Sequence, residues 1–148
     1  MSSKSVQRLL SELKELANPE IARHSQRFFK SGPGEYGEGD QFLGIRVPPQ
    51  RKVAGRYSHL SLDEIGELLQ SPWHEVRLTA LFVLVQQYKK AGEPEREEIF
   101  RFYIRNLDRV NNWDLVDSSA DKIAGKHLFR RDRSLLFELA RSQNLWKR

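Results

Sequence analysis

Leu9, Leu10, Leu13 and Leu16 recur at the i, i+3/i+4 and i+7 spacing of a single helical face, and Asn18-Pro19 stops that stripe. Proline is pre-set for the first position of a helix, so Pro19 opens a second one through Phe28 and Phe29. After a Gly-rich loop, Pro48-Pro49 starts a segment to about Tyr57, and Ser61-Leu62-Asp63-Glu64 is a capping box leading into Ile65, Leu68 and Leu69. From Trp73 to Lys90 the chain is apolar nearly all round (Val76, Ala80, Leu81, Val83, Leu84, Val85, Tyr88), which predicts a central helix covered on most sides, with Trp73 in the core. Gly92-Glu93-Pro94 ends it. Ile99, Phe102, Tyr103 and Leu107 make the next stripe, Asn111 or Asn112 caps a helix to about Gly125, and a last helix lies between Asp132 and Arg141.

No segment alternates between apolar and polar residues within hairpin turns, so the chain reads as all-α. Helices joined by short Pro/Gly/Asn turns and recurring roughly every 20 residues fit stacked antiparallel helix pairs, a HEAT-like or armadillo-type solenoid. A compact bundle competes, because the sequence repeat is weak. Residues 1–148 form a single domain on this reading. Asn144-Leu145-Trp146 resembles a cap and first turn more than an ending, so the solenoid is expected to be C-terminally incomplete and to self-associate through the apolar face left open.

Composition narrows the chemistry. With 39% hydrophobic and 30% charged residues the chain can bury a core. It has no cysteine, which excludes disulfides, thiolate metal sites and cysteine nucleophiles and suits a reducing compartment. The polar N-terminus has no signal core and no apolar run is long enough to span a bilayer, so a cytoplasmic, membrane-free location is expected.

The formal charge of +5 is unevenly placed: residues 1–121 hold 17 Lys+Arg against 18 Asp+Glu, and residues 122–148 hold 8 against 2. Lys122, Lys126, Arg130, Arg131, Arg133, Arg141, Lys147 and Arg148 make up that excess, with His127 among them as a further donor. Such a segment fits a polyanion, most commonly nucleic acid, or else a solvated cationic face.

It follows directly on Asn111-Asn112-Trp113-Asp114-Leu115-Val116-Asp117, where Trp113 and Asp117 stand one helical turn apart on one face. An aromatic plate beside an anion suits a cation. Asp114, early in the helix, is explained by the helix dipole and free amides. Asp117 lies beyond that reach and is either functional or a helix-side charge. Asp114, Asp117 and Asp121 fall at i, i+3 and i+7 and could line one side for magnesium, but no facing helix supplies further ligands, so no metal or other cofactor is assigned.

The loop at 31–40 (Ser31 to Asp40) invites a phosphate-cradle reading and fails it on charge. Glu35, Glu38 and Asp40 repel phosphate and no Gly-Lys-Ser/Thr follows, which leaves a mobile surface turn whose Tyr36 touches a partner at most. His24, His59, His74 and His127 show neither metal spacing nor a paired nucleophile and are expected to be ordinary surface or interface histidines.

Taken together, Trp113-Asp114-Leu115-Val116-Asp117, Phe42-Leu43-Gly44-Ile45-Arg46 with Pro48-Pro49-Gln50-Arg51, His74-Glu75-Val76-Arg77 and Asn144-Leu145-Trp146-Lys147-Arg148 resemble the AlkD-like DNA alkylation repair family, in order along nearly the whole chain. The resemblance implies a HEAT-like solenoid whose concave face holds duplex DNA. It also implies an N-glycosylase for N3- or N7-alkylated purines, with no cofactor. By motif, Asp117 resembles the catalytic carboxylate and Trp113 the aromatic against the lesion. Phe28 stands where many relatives have a tyrosine near the DNA, and Arg148 is a candidate for a DNA-proximal arginine. Lys122, Lys126, Arg130, Arg131 and Arg133 would then hold phosphates. The Gly-rich loop looks like an insertion of a side branch, and the family's last helices, with another aromatic wall, would follow Arg148, so the piece could be inactive alone. A non-catalytic DNA-binding scaffold of the same family is the alternative; a protein-binding helical-repeat module is a third reading, disfavoured by the basic segment.

Overall fold

The computed structural model describes all 148 residues, and most of its helices begin where a side chain satisfies their free amides. α1 (Lys4–Glu15) starts under Ser3, whose hydroxyl accepts from the Val6 amide, and it buries Val6, Leu9 and Leu13. α2 (Pro19–Phe28) starts under the Asn18 carboxamide, which accepts from the Glu20 and Ile21 amides, with Pro19 at the first position as predicted. α3 (Val47–Arg56) carries its two prolines in the first turn, and α4 (Leu62–Leu69) opens on the predicted capping box of Ser61 and Glu64.

α5 (His74–Lys90) is the hub. Twelve of its 17 residues are buried, as its lack of a polar face requires. α3 and α4 lie along it, and α6 (Glu95–Arg105) and the Trp-Asp helix pack against it. α6 adds Ile99, Phe100, Phe102 and Tyr103 to the same core. No strand forms beyond one isolated bridge between Gln41 and Trp73. The arrangement is all-helical and compatible with a helical-repeat solenoid. No helix is long and apolar enough to cross a membrane.

α7 (Trp113–Asp117) is capped by Asn112, not Asn111. The chain stays helical through Ser118 and Ala120, widens into a π-turn at Asp121–Gly125, and continues as the short α8 (Lys126–Leu128). α9 (Ser134–Ala140) follows, and Phe129, Leu136 and Phe137 project outward from this end of the molecule.

The Gly-rich segment differs from its expectation as a mobile surface turn. Its acids fold back on its own amides: Glu35 accepts from Gly32 and Glu38 accepts from Gly34. The Gly37 amide donates to the Lys30 carbonyl, and a Cβ there would lie 2.4 Å from the Phe29 carbonyl oxygen, so only glycine fits. Tyr36 meets Trp146 edge-on at 5.5 Å, tying the loop to the far end of the chain. Behind the loop, the buried Glu75 carboxylate accepts from the Leu43, Gly44 and Ile45 amides, satisfying a charge that would otherwise be costly in the core. Gly44 makes this turn with φ +84°, and a Cβ there would stand 2.0 Å from the Asn18 carbonyl oxygen.

Candidate reaction centre and nucleic-acid interface

Asn112 is fully buried; its carbonyl oxygen accepts from the Trp113 amide while its amide group donates to Asp40 at 3.3 Å. That cap sets the direction in which α7 leaves the core. Trp113 then lies half-buried, stacked on Phe29 with centroids 5.1 Å apart and met edge-on by Phe28 at 5.7 Å. Phe28 is 55% exposed and stacks in turn on His24. An exposed aromatic ledge therefore runs from α2 to α7, and it brings together two of the residues picked from sequence.

Asp117 follows one turn after Trp113. Its carboxylate is exposed and makes no hydrogen bond or ion pair, whereas its backbone carbonyl accepts from the Lys122 ammonium at 3.3 Å. An unpartnered anion beside an aromatic plate leaves room for a cation to take both. The other two acids of the helix are engaged elsewhere: Asp121 pairs with Lys122 at 3.1 Å, and Asp114 turns inward. The three carboxylates do not converge, and nowhere do three His, Asp or Glu side chains meet in a metal-holding group.

Asp114 binds His74, and here the expectation of an ordinary surface or interface histidine is overturned. His74 is 1% exposed, with Nδ1 2.6 Å from Asp40 and Nε2 2.8 Å from Asp114. Burial alone would lower its pKa, but the hydrogen bonds and charges of Asp114 and Asp40 prevail and raise it to about 9, so the ring is a cation donating to both. Burial likewise pushes Asp40 up, and is outweighed by the bond and charge of His74 and the charge of Arg77, which hold it below the usual carboxylate range. Arg77, 2% exposed, donates to Asp40 at 2.8 Å and to Asn111 at 3.2 Å. Sequence reasoning assigned His74, Asp40 and Arg77 no role at the site. The available signal was a histidine, a glutamate and an arginine opening a helix apolar on every side, since charges entering a core must find partners there.

The basic residues divide into free and engaged groups. Lys126, Arg130 and Arg148 are exposed and their side chains donate to nothing in the chain. Lys122 is held by Asp121, Arg131 by Glu93 and the His127 carbonyl, and Arg133 by the Phe129 carbonyl. His127 is not a further surface donor: it is 1% exposed, bonded to Glu97 and Tyr88 and stacked on Phe100 at 4.3 Å. Arg148 lines a cleft of about 350 Å³ with Trp146, Val116 and Asp121, on the far side of the Trp-Asp helix. A second cationic set, missed when charge was read along the chain, surrounds Phe28: Arg23, Arg27 and Lys30 are all exposed on or just after α2.

The ledge, the free carboxylate and these cations thus flank one another, an arrangement able to hold a flat cation next to a polyanion. No curated protein matches the chain. The family model described as DNA alkylation repair enzyme matches residues 9–148, a span that includes the ledge, the Gly-rich loop and the whole basic segment. With that match come a general role in DNA alkylation repair and DNA as a partner: the chain belongs to the DNA alkylation repair enzyme family.

Proposed function

We propose that the protein is a DNA N-glycosylase that excises cationic N3- or N7-alkylated purines from duplex DNA, within a HEAT-like solenoid and without a cofactor. The observation that carries this reading is the free Asp117 carboxylate one turn from the stacked Trp113. An alkylated purine already bears positive charge, so its glycosidic bond is weakened and the leaving base needs no proton. What remains is to stabilise the oxocarbenium character that grows on the sugar and to admit water. Asp117 supplies the negative charge, and bound DNA covers it from solvent, which strengthens the interaction. Trp113 and Phe28 offer faces to the lesion, by stacking and cation–π attraction. Lys126, Arg130 and Arg148, with Lys122, Arg131 and Arg133 beside them, hold phosphates without reading sequence.

The experiment is release of 7-methylguanine or 3-methyladenine from alkylated duplex. Asp117→Asn is expected to slow release by about 10²–10³-fold, the scale of losing one preorganised electrostatic group. Undiminished release by that variant removes Asp117 from the mechanism. The exposure of Asp117 in the free protein favours one other reading, a DNA-binding scaffold without chemistry. That reading predicts salt-dependent duplex binding with no base release, and any Asp117-dependent excision excludes it. Self-association through the outward Phe129, Leu136 and Phe137 belongs to the same proposal and is read by sedimentation across a concentration series; a monomer throughout removes it. A cytoplasmic location is proposed with it.

A further inference from the structure

His74 reaches Trp113 by two routes. The first is polar: Nε2 holds Asp114, the residue bonded to Trp113 in the chain, while Nδ1 holds Asp40 at the end of the Gly-rich loop. The second is a stack, in which the imidazole lies against Phe42 at 4.8 Å and Phe29 at 4.7 Å, and Phe29 carries the Trp113 ring. The His74 amide also donates to the Gln41 carbonyl at 2.8 Å, so the ring is fixed to the backbone that leaves the loop.

Resting on the reading of Trp113 and Asp117 as the reaction centre, we propose that His74 is a positioning residue: it clamps the Gly-rich loop to the first turn of the Trp-Asp helix and so sets the plate of Trp113 and the place of Asp117. The two carboxylates it joins are not equivalent. Asp40 has a second cation, Arg77, and the Asn112 amide besides. Asp114 has His74 alone, and its other oxygen is buried without a partner. The remaining charge nearby, Glu75, is turned to the Leu43–Ile45 amides. A neutral imidazole has one N–H and can serve one carboxylate. When the ring loses its proton, Asp40 therefore keeps its partners and Asp114 is the group released. The slack appears at the start of the Trp-Asp helix and not in the loop.

The test uses the full chain and alkylated duplex under single-turnover conditions. His74→Gln is expected to lower the rate of base release by about ten- to a hundredfold, the cost of small misplacement, while duplex Kd stays within about twofold because the phosphate-holding cations are untouched. The wild-type rate is expected to fall as pH rises through about 9, and in Asp114→Asn that fall moves to lower pH, one raising charge being gone. A His74→Gln rate equal to wild type, or a pH profile that Asp114→Asn leaves in place, overturns the proposal. Because either variant could fold poorly, the wild-type protein supplies a second reading without any variant enzyme. The Trp113 indole N–H resonance, assigned by its loss in Trp113→Phe, is expected to shift with the same midpoint as the His74 ring. An indole that stays still while the ring titrates overturns the coupling. Should the wild type release no base at all, the glycosylase reading fails by itself, and the indole titration still decides whether His74 sets Trp113.

Discussion

Asp114 and Asp117 share one short helix and meet opposite fates. Asp114 neutralises a buried imidazolium, so Asp114→Ala leaves a charge in the core without its partner and is expected to cost about 2–4 kcal/mol in denaturant unfolding. Asp117→Ala touches nothing in the free protein and should change stability by less than about 0.5 kcal/mol. An equal loss in the two would contradict the split. The pH dependence of folding follows from the same histidine. Its folded value of about 9 lies above its ordinary 6.5, so its contribution is full below about 6.5 and is lost as pH rises through 9. Asp40, held low, acts in the opposite sense: its contribution is present above 3.8 and is lost as pH falls further. Chemical denaturation across this range should show a plateau between these limits. Its alkaline side should fall by no more than about 1.4 kcal/mol per pH unit, the value for one proton, and should flatten in His74→Gln. The sequence did isolate Asp117 as the acid with no structural duty. It also explained Asp114 too cheaply, as a helix-start residue, because a bond to His74 joins positions far apart in the chain and leaves no local trace.

The helices themselves were legible because their signals are local. Asn18-Pro19, the Ser61–Glu64 box and the unbroken apolar surface of α5 each act within a few residues, and each predicted element is present. The Gly-rich loop was misjudged for the converse reason. Composition says that glycine is permissive, but not that Glu35 and Glu38 bend back onto the loop's own amides or that Asp40 enters the core. Hydrogen exchange distinguishes the two descriptions: the Gly32, Gly34 and Gly37 amides should be protected well beyond a free loop, and exchange at unstructured rates would contradict the hydrogen bonds described. Gly44→Ala should be harmful in the same region, by more than about 1 kcal/mol, since the new methyl meets the Asn18 carbonyl and the left-handed φ is lost to it.

Across the whole molecule, binding should be dominated by charge. Duplex affinity should fall steeply with salt, and replacing both Lys126 and Arg130 with alanine should reduce the slope of log K against log salt by about 2, nearly one for each phosphate no longer neutralised. A slope that does not change would place these two free cations off the DNA path. The charge split along the sequence pointed to this segment, and missed Arg23, Arg27 and Lys30 because the fold, not the chain, brings α2 to the ledge. The two groups of residues on the Trp-Asp helix, its site end and its cationic end, are joined through the π-turn at Asp121–Gly125. A π-turn holds one residue more than the α-helical path, and one residue is about 100° of rotation. The turn therefore acts as a phase shifter. Deleting a single residue within it should restore a regular helix and keep the protein folded, yet swing Lys126 and Arg130 about 100° around the axis relative to Trp113 and Asp117, uncoupling grip from chemistry.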